Sequence, residues 1–451
     1  MVQPLLIQGA QWVTMDPQAR ILTGDLLIDA QGRIAALGDA LPAPDGVRRF
    51  DARGLTGIPG LVQTHIHLCQ SLFRNMADDL VLIDWLRQRI WPFEGALSEH
   101  SMRTSVEYGL AELIRGGTTT LLDMGTVHHT DVIAETLAAS GLRAWFGKAM
   151  MDEGDDIPPS LRETRAESLR HSLALAERWH GAADGRLRYA FCPRFAFSCS
   201  TSLLHEVGDI IASEGYLLHT HANETQWEVE ESQRRFGTTN IDYLHQTQLT
   251  GPRSVFAHGV HLGDDEVQRL ASTDTCITHC PSSNLKLASG IANIPRLWDA
   301  GVRVGLGADG APCNNNLDGF VEMRLAALLQ KPIHGPTAMP AQRVLQLATL
   351  DGARVLGWDD EVGSLEVGKS ADLVLLDLNK PHHGVSGAAA EQLGANVYAR
   401  IVYSAHASDV CHVFASGRQL VDDGELVDID VEALQAKGQE ASRAIVERLD
   451  G

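Results

Sequence analysis

Eight strand-like segments separated by helical patterns fill the middle of the chain, and hairpin-like β sequence lies at both ends. Together they predict an α/β chain: a TIM-type (β/α)8 barrel carrying a small β-sandwich built from both termini. A third observation, ionisable residues gathered at strand ends, puts the chemistry on one rim of that barrel. The 451 residues suffice for one large barrel plus a smaller unit.

The elements follow in order. Residues 5–15 are apolar with alternation, 26–29 lead into the turn Ala30-Gln31-Gly32-Arg33, and 34–37 come back, which is a hairpin pattern. The same pattern returns at 371–378 and 412–421, so both ends can share one sandwich. The first barrel strand starts at Leu61 and Val62 and ends at His65 and His67. Seven more are expected at 118–123, 143–151, 187–194, 216–221, 254–258, 276–279 and 302–309. Helical periodicity lies between most of them, at 101–115, 131–139, 161–179, 202–213, 264–271 and 294–300. A doubly wound open sheet is the alternative, but no Gly-rich phosphate fingerprint follows an early strand. The expected division is sandwich 1–57, barrel 58–360, sandwich 361–425, and a closing amphipathic helix within 426–451. Residues 152–159 read as an exposed loop.

Composition excludes several function classes. A formal net charge of −21 repels a phosphate backbone and offers no basic patch to an anionic membrane. The seven cysteines are odd in number, thinly spread and without a C-x-x-C pair, so neither a disulfide framework nor a zinc knuckle is indicated. The N-terminus lacks a basic segment followed by an apolar core, and no apolar run is long enough to span a bilayer. A soluble, reduced, cytoplasmic protein is expected, assembled as a homo-oligomer and acting on a small molecule.

His65 and His67, two apart on one strand, point to the same face. A metal is one reading of this pair and hydrogen-bonded structural histidines the other. Later strand ends add Arg194, His221 with Glu224, His258, His279 and Asp309. His219 reads as a core histidine or as a partner of the site. Asp309 could cap a helix, but the glycines around it suit a close backbone approach to a site better.

Taken together, Thr64-His65-Ile66-His67, His221-Ala222-Asn223-Glu224, Ala257-His258-Gly259 and Gly307-Ala308-Asp309-Gly310 resemble the amidohydrolase superfamily, in its mononuclear aminohydrolase branch. The resemblance covers nearly the whole chain, including the C-terminal entry to the sandwich, Gly363 to Leu373, and it implies a distorted barrel. Within the branch, Cys280 to Leu287 and Asn314 to Asp318 resemble deaminases of 5′-deoxyadenosine, 5′-methylthioadenosine and S-adenosylhomocysteine. By that resemblance His65, His67, His221 and Asp309 hold one divalent metal, zinc first with iron or manganese as alternatives. His258 polarises the attacking water, Glu224 shuttles protons, and Asp309 passes the water proton to the leaving amine. The implied enzyme is a hydrolase of carbon–nitrogen bonds in cyclic amidines. The related dinuclear class needs a lysine on strand four, and 187–194 contains none, although Lys148 stands on strand three. The H-x-E with P-C-x-x-C pattern of the other zinc base deaminases is absent.

The resemblance also suggests substrate contacts. Glu94 matches a glutamate that grips a ribose diol, and Trp85, like Phe73 and Trp91, could wall a flat heterocycle. Gln70, Arg194 and Phe195 look instead like the base pocket of guanine deaminases, and Gln70 also matches s-triazine hydrolases. An adenine-nucleoside deaminase is therefore expected first, a free-base deaminase or triazine amino- or chlorohydrolase second, and a non-catalytic scaffold third.

Overall fold

The computed structural model describes residues 2–154 and 156–450. The N-terminal segment forms β1 (Leu5–Val13), β2 (Ile21–Ile28), β3 (Ile34–Gly38), β4 (Arg48–Asp51) and β5 (Thr56–Pro59). The central strands are β6 (Leu61–His67), β7 (Thr118–Met124), β8 (Arg143–Gly147) with its short continuation β9 (Ala149–Met150), β10 (Leu187–Pro193), β11 (Leu217–Ala222), β12 (Ser254–His258), β13 (Cys276–His279), β14 (Val304–Leu306) and β15 (Asp309–Gly310). Four strands close the chain: β16 (Leu373–Leu376), β17 (Val410–Ala415), β18 (Arg418–Asp422) and β19 (Glu425–Leu426).

The central sheet is parallel, in the order β14-β13-β12-β11-β10-β8-β7-β6-β15. The eighth strand expected at 302–309 is in fact two pieces. β14 pairs with β13, while β15 pairs with β6, so one stretch of chain bonds both the seventh strand and the first and brings the sheet round on itself. The break falls at Gly307 and Ala308, and side chains replace the missing ladder. Ala308 N–H donates to Gln63 Oε1 (3.0 Å), and Asn314 Nδ2 donates to Ala308 O (2.8 Å). β6, β7 and β8 are buried along their whole length, as parallel strands covered on both faces must be.

Local signals set the helix starts. The helix expected from residue 161 begins at Arg165, because Thr164 and Glu167 form a capping box there and residues Pro159–Leu161 make a separate 3₁₀ turn. Thr225 and Glu228 form another such box on the helix Gln226–Phe236. Glu224 is thereby fixed between the end of β11 and that helix.

The two chain ends meet in one sheet rather than in two stacked ones. β16 lies antiparallel to β5, β5 lies parallel to β1, and the order β19-β18-β17-β16-β5-β1-β2-β3 is continuous. It curls because β3 also meets the approach to β16: Ile34 N–H donates to Lys369 O (2.9 Å) and Gly368 N–H to Ile34 O (2.8 Å). Trp12, Leu26, Leu373, Leu375 and Phe414 fill the inside of the curl. The final helix, Val431–Asp450, returns to the barrel and packs on the helix Glu99–Arg115, with Lys437 Nζ 3.1 Å from Glu107 Oε2. Among the described residues, no helix is long and apolar enough to cross a membrane.

Candidate active site

The C-terminal ends of β6, β11, β12 and β15 bring five ionisable side chains together. His65 Nε2 and His67 Nε2 lie 3.3 and 3.4 Å from Asp309 Oδ1, and His67 Nε2 lies 3.2 Å from His221 Nε2. His258 Nε2 is 3.4 Å from Glu224 Oε2 and 3.9 Å from Asp309 Oδ2. His258 and Asp309 both have positive φ (77° and 62°), a costly backbone state for side chains of this size and one that gathers at functional sites.

Backbone carbonyls fix which ring nitrogens carry hydrogen. His67 Nδ1–H donates to Met124 O (2.7 Å) and His221 Nδ1–H to Arg194 O (2.6 Å), since a carbonyl can only accept. The same logic runs through a relay. His219 Nδ1–H donates to Val255 O (2.8 Å), its Nε2 must then accept, and His65 Nδ1–H is the donor at 2.7 Å. His258 Nδ1–H uses Asn284 Oδ1 (2.9 Å). Burial pushes His65 down to about 4 and His67 and His219 to about 3, and holds His221 well below the ordinary imidazole value, so these four rings are neutral at neutral pH.

The result is a cluster of lone pairs turned toward one another. His67 and His221 turn bare Nε2 atoms toward each other, and His65 Nε2 is buried without a partner. Neutral nitrogens at that separation repel unless a cation sits among them. His65, His67 and Asp309 offer ligand atoms within 4.8 Å of one another, as do His65, His221 and His258. The donor set, imidazoles with one carboxylate, is that of a mononuclear divalent metal. Lys148 takes no part, because its ammonium is buried against Glu163 Oε2 (2.6 Å) and Ala149 O (3.0 Å).

Two carboxyls face the same space. Burial, with the negative charge of Asp309 adding to it, pushes Glu224 up to about 8. Ser289 Oγ donates to its Oε1 at 3.3 Å. Glu228 uses its carboxylate to cap the N–H groups of Glu224 and Thr225 and so holds the Glu224 backbone in place. Glu228, Ser283 (2.7 Å to Asp309 Oδ2), Asn284 and Ser289 were not singled out from the sequence. Ser283 and Asn284 lay within the Cys280–Leu287 motif, whereas Glu228 carried only a helix-cap signal.

The cavity over these groups is walled by Leu82, Trp85, Leu86, Arg194, Phe195 and Leu287. Three of the five expected substrate contacts, Trp85, Arg194 and Phe195, therefore line it. Gln70 and Glu94 do not. Both Glu94 oxygens are already taken: Arg194 donates to Oε2 (2.8 Å) and Oε1 (3.2 Å), Gln70 Nε2 to Oε1 (2.8 Å), and Thr126 Oγ1 to Oε2 (2.8 Å). Burial opposes the Glu94 charge, but the Arg194 guanidinium outweighs it and holds the carboxyl below its ordinary range. Glu94 and Gln70 thus form the layer behind Arg194, and the spacing of residues in sequence gave no hint of that pairing. Phe73 is core, packed on Phe93 with ring centroids 5.2 Å apart, and Trp91 is buried away from the cavity.

Comparison with known proteins agrees with this geometry. The sequence model described as "Amidohydrolase family" matches residues 56–420. A 5′-deoxyadenosine deaminase from Methanothermobacter thermautotrophicus is 40% identical over 91% of this chain and 95% of its own length. A 5-methylthioadenosine/S-adenosylhomocysteine deaminase from Moorella thermoacetica is 39% identical over 86% of this chain and 87% of its own. The structure of an adenosine deaminase from Xanthomonas campestris with bound zinc superposes with a TM-score of 0.90 at 31% identity, covering 98% of both chains. With the family pattern running through the barrel and the terminal sheet alike, this chain belongs to the amidohydrolase family.

Proposed function

We propose that the chain is a metal-dependent hydrolytic deaminase of an adenine nucleoside of the 5′-deoxyadenosine type, releasing ammonia and leaving the inosine analogue. The observation that carries it is the set of opposed, tautomer-fixed lone pairs at the rim of a chain 40% identical to a 5′-deoxyadenosine deaminase. In this reading His65, His67, His221 and Asp309 hold one divalent ion, zinc first, and His258 stands beside it. The ion supplies Lewis acidity that readies a water for attack on the amino-bearing ring carbon. Glu224, a carboxyl that keeps its proton near neutral pH, donates to the adjacent ring nitrogen and draws electron demand to the carbon under attack. His258 orients the water, with its own ring held by Asn284. Asp309 takes one water proton and returns it to the leaving amine, and the other leaves the new hydroxyl as the ring carbonyl forms and restores the Glu224 carboxyl, so water in and ammonia out balance. Trp85 and Phe195 pack on the ring faces, and Arg194 meets an acceptor atom on the ring edge. The net charge of −21 argues against a nucleic-acid partner, and a cytoplasmic homo-oligomer acting on a small molecule belongs to the same reading.

One observation favours a second reading, deamination of a free base such as guanine. Glu94, the expected ribose clamp, is fully engaged by Arg194, Gln70 and Thr126. An ammonia-release screen over 5′-deoxyadenosine, 5′-methylthioadenosine, adenosine, S-adenosylhomocysteine, guanine and aminotriazines separates the two. Turnover of the 5′-deoxy nucleosides is expected to exceed the rest; turnover of guanine alone transfers the assignment, and silence from every purine removes it. Dialysis against a strong chelator should abolish turnover and Zn²⁺ should restore it. Glu224→Gln should cut kcat by about 10²–10⁴ with metal content unchanged. His219→Ala strips His65 of the acceptor that fixes its ring and should weaken metal retention by about 10–100-fold, read as metal lost to a competing chelator. Glu94→Gln leaves the Arg194 guanidinium buried and under-compensated, so denaturant unfolding should show a loss of about 3 kcal/mol, while Glu94→Gln combined with Arg194→Met recovers part of it.

A further inference from the structure

Outside the barrel, three more metal-ligating side chains converge. His382 and His383 stand in the 3₁₀ turn Pro381–His383, and Asp409 ends the turn Ala407–Asp409 that leads into β17. One ring nitrogen from each histidine and a carboxylate oxygen of Asp409 lie within 4.8 Å of one another. Both imidazoles address the same atom, with His382 Nε2 at 2.9 Å and His383 Nε2 at 3.1 Å from Asp409 Oδ2. The His406 backbone N–H donates to that oxygen too, at 3.0 Å. A carboxylate oxygen has about two lone-pair directions, so three donors over-subscribe it. Its other oxygen is occupied by the Lys380 ammonium at 2.9 Å.

A cation resolves the competition. With both Nε2 atoms unprotonated, two imidazole lone pairs and Oδ2 lie close enough together to share one ion, and the His406 N–H stays on the oxygen. Ligands about 2.1 Å from a tetrahedral ion lie about 3.4 Å from each other, a few tenths of an ångström beyond the 2.9 and 3.1 Å found between the imidazoles and Oδ2. His383 and Asp409 are fully buried, while the His382 side chain is 41% exposed, so the cluster is reachable from solvent on the His382 side.

We propose that His382, His383 and Asp409 form a second divalent-metal site, independent of the catalytic one. Two imidazoles and a carboxylate suit Zn²⁺. The ion ties the segment after β16 to the turn before β17, and the nearby Lys380 ammonium makes it the weaker of the two sites. It goes beyond the proposed deaminase and does not rest on it.

The test is equilibrium dialysis of the full chain against buffered free Zn²⁺, with bound zinc counted by mass spectrometry and ammonia release measured on the same samples. His382→Ala and His382→Gln should each bind one equivalent fewer than the parent while retaining its turnover. That difference stands whatever the catalytic rim holds, so failure of the deaminase reading leaves it intact. Equal zinc content in the parent and both variants overturns the site and leaves a hydrogen-bonded cluster. Brief exposure to a weak chelator should remove one equivalent from the parent without lowering turnover; turnover falling in step with the first equivalent lost also overturns it.

Discussion

Everything at the rim depends on a few hydrogen bonds from Nδ1. Met124 O and Arg194 O take the hydrogens of His67 and His221, and the His65–His219–Val255 relay takes that of His65. The three carbonyls belong to a neighbouring strand or its end, and His219 reaches His65 from β11, which is not adjacent to β6, so barrel geometry dictates ring tautomer. Once the tautomers are fixed, the remaining nitrogens can only face inward as bare lone pairs. The fold stores an electrostatic conflict that a divalent cation relieves, which is how a pocket is preorganised for a metal before one arrives.

The same economy explains the split eighth strand. A regular strand from 302 to 309 would carry Asp309 past the site, whereas the step at Gly307 and Ala308 turns it back against β6. Gly307 is needed there because a Cβ would stand 2.8 Å from His65 O. The step requires the positive φ of Asp309, and the side-chain bonds of Gln63 and Asn314 offset its cost.

Much of the barrel was legible in the sequence because helical periodicity lies between most of the eight strand-like stretches and chemistry-bearing residues close several of the strands. His65, His67, His221, Glu224, His258 and Asp309 stood out because imidazoles and carboxyls are rare at the ends of buried strands. The Glu94–Arg194 pair was not legible. Its partners lie 100 positions apart, and either side chain alone reads equally well as a substrate contact. Whether Glu94 faced a ligand or another side chain was a three-dimensional fact, set by the helix Trp91–Gly95 bringing Glu94 to Arg194 just after β10 and to Thr126 just after β7. The single curled sheet was likewise hidden, since hairpin patterns at the two ends fit stacked sheets as well as one continuous one.

That sheet carries a consequence for the order in which the protein can be made. β5 runs directly into β6, yet its other neighbour is β16, and β17 to β19 follow only near the C-terminus. On the ribosome β1 to β5 emerge first and must wait, with an unpaired edge at β5, until the whole barrel has been translated. Contacts of such long sequence separation are slow to form, and an open strand edge invites pairing with other chains meanwhile. Strands made after the barrel therefore seal the sheet begun before it, and a ribosome that stalls beyond the barrel but before β16 would release a chain whose rim residues are all present and whose N-terminal sheet is still open.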